Sequence, residues 1–129
     1  MMITGIGTDL VKISRIEQSL QRFGDKFISR IFTPSEQLAA TERKDKARFY
    51  AMRFAAKEAA WKALSPGYQN GVGWHDLEIT ATEDGQPILR FHGRARDVFD
   101  RATGGHGQTH VSLSDDGGMA LAFVVLSAP

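Results

Sequence analysis

Two acidic residues stand out for the company they keep. Glu58 lies in Arg53-Phe-Ala-Ala-Lys-Glu-Ala-Ala-Trp-Lys62, and Asp9 closes Ile3-Thr-Gly-Ile-Gly-Thr-Asp9. Each sits among apolar or small residues, where a carboxylate without a partner is costly. An ammonium, Lys62, follows Glu58 by one helical turn. Taken alone, a Glu/Lys pair at i,i+4 is an ordinary surface pair worth about 0.2–0.5 kcal/mol. Two such carboxylates on different elements point further. A hard cation such as magnesium takes oxygen ligands, keeps several waters, and is often held by one or two carboxylates plus substrate phosphates. On that reading Asp9 and Glu58 ligate a metal, while Lys62 neutralises or protonates a leaving phosphate. Arg53 and Lys57 form a separate stripe able to hold further phosphate groups. The alternative is internal pairing of the carboxylates with Lys62 or an arginine.

Other residues add weaker signals. Gly67, Gly71 and Gly73 make a loop whose amides can approach phosphate, although most such loops are turns. His110 and Ser112 alternate on one face of an expected strand, opposite Thr109, Val111 and Leu113. A Ser/His nucleophile pair would need an orienting acid and an elbow turn, neither of which is evident, so ligand contacts fit them better. His75, His92 and His106 lack metal spacing and read as surface residues. Arg43, Lys44, Lys46 and Arg48 extend the basic character upstream of Arg53, as a phosphate site or a solvated helix face.

The elements that must position these residues can be laid out in order. Met2 to Val11 reads as a strand with Ile3, Gly5, Gly7, Asp9 and Val11 on one face, its glycines leaving room for a close neighbour. Ser14-Arg-Ile-Glu17 has capping-box spacing and should open a helix that Gly24 ends. Arg15, Gln18 and Arg22 lie on that helix's polar side. A short helix over Asp25 to Ile31 follows, then one opened by Thr33-Pro-Ser-Glu36 and running to about Arg43. A longer helix over Asp45 to Leu64 carries Glu58 until Ser65-Pro-Gly67 breaks it. Leu77 to Thr82 with Pro87 to His92, and Thr109 to Ser114 with Met119 to Leu126, form hairpins around a helix over Gly93 to Thr103 that has Ala95, Val98, Phe99 and Ala102 on one side. The expectation is one α+β domain, residues 1–129, with a mostly antiparallel sheet and helices on one side.

Composition is consistent with this. The 129 residues are 42% hydrophobic and 24% charged, with a net charge of +1 that gives no general case for nucleic acid. Zero cysteines exclude disulfides, thiolate zinc sites and a cysteine nucleophile. No run approaches the roughly 18 apolar residues of a membrane span, and the first residues lack signal-peptide character, so a cytoplasmic location is expected.

Four of these segments, Gly5-Ile-Gly-Thr-Asp9, Arg53 to Lys62, Gly71-Val-Gly73 and His110-Val-Ser-Leu-Ser114, resemble in order and spacing the holo-[acyl-carrier-protein] synthases. These are small 4'-phosphopantetheinyl transferases of lipid synthesis, and the resemblance spans the whole chain. It implies the 4'-phosphopantetheinyl transferase fold. The implied reaction moves phosphopantetheine from coenzyme A to a serine of apo acyl carrier protein, releasing adenosine 3',5'-bisphosphate and supporting fatty acid biosynthesis. By motif position it implies magnesium on Asp9 and Glu58, with Lys62 at the leaving phosphate. Arg53, Gly71, Gly73, His110 and Ser112 would line the coenzyme A site, with Lys57 beside Arg53. Arg15 and Arg22 would meet an acidic carrier protein, and the chain would form a homotrimer with sites between subunits. The base for the serine is left between Glu58 and a water on the metal. One departure is Asp115, which stands where the family often has histidine. The rival reading is a non-catalytic carrier-protein-binding module, which would need none of Asp9, Glu58 and Lys62; a phosphate-ester hydrolase lacks a dedicated water-activating group.

Overall fold

The computed structural model describes residues 1–64 and 70–129, so the expected break at Ser65-Pro-Gly67 lies outside the described residues. The chain runs β1 (Met2–Lys12), α1 (Ile13–Phe23), α2 (Asp25–Ile31), α3 (Pro34–Ala40) and α4 (Lys46–Ala63). A short 3-10 turn over Trp74–Asp76 leads to β2 (Leu77–Ala81), β3 (Pro87–Phe91), α5 (Gly93–Thr103), β4 (Gln108–Asp116) and β5 (Met119–Ala128). The strands form an antiparallel three-stranded sheet in the order β1-β5-β4 and a separate antiparallel pair, β2-β3. This is the expected α+β architecture. No described helix is long and apolar enough to cross a membrane.

Helix α4 is the axis of the fold. Asp45 caps it by accepting from Arg48 N at 3.0 Å, and alanines at 51, 55, 56, 59, 60 and 63 are buried. Small side chains let the helix be enclosed on most of its circumference by β1, β5, β2, β4 and α1. Against β1 the approach is extreme. A Cβ built on Gly7 would fall 1.9 Å from Ala59 O, and one on Gly5 would fall 1.9 Å from Ala63 O. The room that the glycines were expected to leave is therefore filled by the backbone of α4.

Two helix starts share one sequence pattern and differ in outcome. Thr33 caps α3 with a complete capping box, its Oγ1 accepting from Glu36 N while Glu36 Oε1 accepts from Thr33 N. Ser14 does not cap α1. Strand pairing persists to Lys12↔Met119, so the helix begins at Ile13 with no side-chain cap, and Ser14 is already inside it. Helix α3 also stops at Ala40, short of Arg43, in turns that bring Thr41 N to Leu38 O and Arg43 N to Ala40 O. In α5 the buried residue near the end is Thr103, bonded to Phe99 O, while Ala102 is exposed.

Replacing Gly7 by alanine is expected to cost about 3 kcal/mol, because backbone on both sides must move. Urea unfolding of Gly7→Ala measures this; a midpoint equal to the parent's would show that β1 and α4 separate freely.

Candidate functional site

Strand β1 delivers Asp9 to the side of α4 that carries Glu58 and Lys62. Lys62 Nζ lies 3.1 Å from Asp9 Oδ1 and donates to Thr8 O at 3.0 Å. Burial raises the pKa of the Glu58 carboxyl above its ordinary value; the negative charge of Asp9 raises it further, while Lys62 and Arg15 act in the opposite sense. All three sequence-expected residues thus converge, with Arg15 of α1 near them. The internal pairing foreseen as an alternative exists for Asp9 and Lys62.

A hard divalent cation fits this pair of carboxylates. Burial first, and then the charge of Asp9, raise the Glu58 carboxyl, and a cation between the two would offset both. Among the described residues no group of three or more metal-binding side chains occurs. A cation held by Asp9 and Glu58 alone would keep positions for water and substrate oxygens.

Glu58 also borders a pocket of about 350 Å³ lined by Trp61, Val72, Gly73, Trp74 and Leu77. Gly73 N donates to Asp76 Oδ2 at 3.1 Å, which holds the turn at the pocket's edge. Gly71 has φ +87°, which a residue with a side chain rarely adopts.

A second pocket, about 470 Å³, is lined by Arg43 and Lys44 just ahead of α4, by Arg48, Phe49 and Arg53 from its first turns, and by Leu113 of β4. The Arg53 guanidinium packs 4.5 Å over the Phe49 ring, and its buried Nε has no hydrogen-bond partner. Burial, and then the like charge of Arg43, pull its pKa below the ordinary arginine value. A cation so placed is well suited to an anion. Asp115 holds Arg48 through two bonds of 2.8 and 2.7 Å.

Lys57 does not join Arg53 in a phosphate stripe. Its side chain is 0% exposed and pairs with Glu36, also 0% exposed, at 2.8 Å. The expectation that Lys57 contacts coenzyme A is therefore corrected: helix periodicity put it beside Arg53, but the packing of α3 and β2 closes over it. Glu36 was read only as a capping acid. Its burial could not be told from the Thr-Pro-Ser-Glu spacing, which surface helices share.

His110 and Ser112 face outward from β4, as the alternation foresaw, and His110 Nε2 lies 3.1 Å from Ser127 Oγ. His75, His92 and His106 are exposed. His75 nonetheless sits 2.8 Å from Ser29 O, and His92 lies 3.0 Å from Glu78.

With this geometry in hand, comparison with known proteins gives a consistent result. The sequence profile of the 4'-phosphopantetheinyl transferase superfamily matches residues 5–123. The chain belongs to that superfamily. Similar proteins within it are holo-[acyl-carrier-protein] synthases. One from Cereibacter sphaeroides is 48% identical over 129 residues, 98% of this chain and 94% of the relative. The crystal structure of the Neisseria meningitidis synthase superposes with a TM-score of 0.86 at 34% identity, covering 98% of this chain and 99% of that one. That of the Helicobacter pylori synthase in complex with coenzyme A gives 0.80 at 33% identity, covering 95% and 99%.

The raised Glu58 carboxyl has a consequence for stability. The folded protein binds this proton more tightly than the unfolded chain, so the contribution of Glu58 to stability is most favourable below the ordinary value of 4.5 and is lost as pH rises through it towards the folded value. Glu58→Gln removes the penalty. It is expected to raise the thermal midpoint at about pH 8 and to leave it unchanged at about pH 3; a variant less stable than the parent at the higher pH would contradict this.

Proposed function

We propose that the protein transfers the 4'-phosphopantetheine group from coenzyme A to a serine hydroxyl of an apo acyl carrier protein, with magnesium held by Asp9 and Glu58, in support of fatty acid biosynthesis. The observation that carries this reading is the meeting of Asp9, Glu58 and Lys62 at the edge of a pocket walled by Gly73 and Trp74. A purely binding module has no use for that meeting. The magnesium, when bound, would offset the charge of the pyrophosphate under attack.

The new bond joins the serine oxygen to the phosphorus bearing the pantetheine arm, and the pyrophosphate P–O bond breaks, leaving adenosine 3',5'-bisphosphate. Glu58, with its raised carboxyl, suits the uptake of the serine proton better than an ordinary carboxylate. Lys62 supplies positive charge for the departing phosphate. Arg53, with Arg43, Lys44 and Arg48, suits the nucleotide phosphates. Gly71 and Gly73 border the coenzyme A path, and His110 and Ser112 contribute from the outer sheet face.

That outer face supports a homotrimer with shared sites. Ile6 and Leu10 of β1 are each 59% exposed, and Leu121 and Phe123 of β5 each 42%, on one face of the paired strands with Leu10 opposite Leu121. A contiguous apolar sheet face of this kind needs a cover. Arg53 and Glu58, five residues apart on one helix, point about 140° from each other. The basic pocket and the carboxylate pocket thus open in different directions, an arrangement suited to one ligand lying between two copies of the chain.

The carrier protein would dock on α1 and α2. Arg15 and Arg22 are exposed on α1, seven residues apart and so on one face. They adjoin an apolar groove of about 530 Å³ edged by Phe23, Lys26, Phe27, Arg30, Phe54 and Trp74. Trp74 also lines the Glu58 pocket, so a partner seated here lies next to the carboxylates.

Mass spectrometry of an apo carrier protein incubated with coenzyme A, magnesium and this protein should register the phosphopantetheine mass gain, and a chelator should abolish it. Carrier binding without any gain would favour the non-catalytic module. Removing the charges of Arg15 and Arg22 should raise the Michaelis constant for the carrier, most strongly at low salt, where screening is weakest. An unaltered constant at low salt would reject that docking face.

A further inference from the structure

Lys57 immediately precedes Glu58 on a helix otherwise faced largely with alanine, yet its ammonium is enclosed. Besides Glu36 Oε1 at 2.8 Å, it donates to Trp74 O at 3.1 Å and to Leu77 O. Glu36 is satisfied in turn by Thr33 N on Oε1 at 2.8 Å and Ile79 N on Oε2 at 2.9 Å. Burial draws the lysine's pKa below its ordinary value, and the charge of Glu36 opposes that. Such a pair is weak evidence for stability, since apolar side chains of matched volume often do as well.

What an apolar side chain would not do is hold two backbone carbonyls. Trp74 and Leu77 belong to the wall facing Glu58, together with Val72 and Gly73. Trp74 lies in a single tight turn ahead of β2, closed by Asp76 N to Gly73 O at 3.1 Å. The strand pairing of β2 begins at Leu77↔Phe91, with His92 N donating to Asp76 O at 2.8 Å just ahead of it, so no ladder bond reaches the Trp74 carbonyl; the Trp74 ring rests on Phe54 of α4, 5.3 Å between centroids, which leaves the carbonyl to Lys57.

Resting on the function proposed above, we propose that Lys57 is a positioning residue: by gripping Trp74 O and Leu77 O from α4, it fixes the width of the pocket between Glu58 and the 72–77 wall that receives coenzyme A. It touches no substrate. Lysine and glutamate at adjacent positions then divide the work, one holding the far wall and the other facing the ligand.

The test separates the grip from the ion pair. Lys57→Met removes both; Glu36→Gln removes the ion pair but leaves Lys57 with donors for both carbonyls, whether charged or neutral. Coenzyme A and adenosine 3',5'-bisphosphate are titrated calorimetrically into the wild type and each variant, with thermal midpoints measured alongside. Lys57→Met is expected to weaken coenzyme A at least about tenfold, as small misplacements at a site do, and to leave adenosine 3',5'-bisphosphate within about twofold. Glu36→Gln should bind coenzyme A within about threefold of wild type, whatever its loss of stability. If Lys57→Met does not fold, Lys57→Gln, shorter and neutral, is used with the same expectations. Wild-type coenzyme A affinity in the lysine variant, or equal losses in both variants that follow their thermal midpoints, would overturn the positioning role. A wild type that binds neither ligand would instead bring down the functional reading beneath it.

Discussion

Between β1 and α4 there is no room for a side chain at two positions. Ala59 O and Ala63 O occupy the places where the Cβ atoms of Gly7 and Gly5 would lie. Backbone thus meets backbone, and Asp9, two residues beyond Gly7 on the same face of β1, comes to the level of Glu58 and Lys62. Were β1 held off by ordinary side chains, the carboxylates would stand farther apart and act as separate surface acids. The rest of the sheet follows from the same contact, because β5 pairs with β1 and β4 with β5.

Much of this arrangement could be read from residue order. Glycines alternating with Asp9 announced a close neighbour, whereas Glu58 and Lys62 alone read as an ordinary surface pair until Asp9 supplied a second carboxylate on another element. Strand alternation put His110 and Ser112 on one face correctly, because a period of two leaves little freedom. Capping patterns were less secure. Ser14 and Thr33 head the same spacing, yet long-range pairing of Lys12 with Met119 decided one of them. A local pattern cannot register a competing ladder to a strand more than a hundred residues away.

Lys57 marks the deeper limit. Helical periodicity states which residues share a side of α4, but the identity of what covers each side is a tertiary fact. Arg53 and Lys57 lie about 40° apart around the helix, and their fates diverge. Arg53 opens to a pocket with other basic residues, whereas Lys57 is sealed beneath Glu36 and the start of β2. Lysine is seldom buried without a partner, and the partner here comes from a helix whose acid served equally well as a cap.

The alanine facing of α4 has an entropic side. Alanine has no side-chain rotamers to lose on burial, whereas longer apolar residues give up part of their freedom and retain some alternative packings. At 51, 55, 56, 59, 60 and 63 the helix therefore meets its neighbours through groups that have one shape only. Around Glu58, at 55, 56, 59 and 60, there are thus no alternative rotamers through which side-chain repacking could alter the spacing of the two carboxylates.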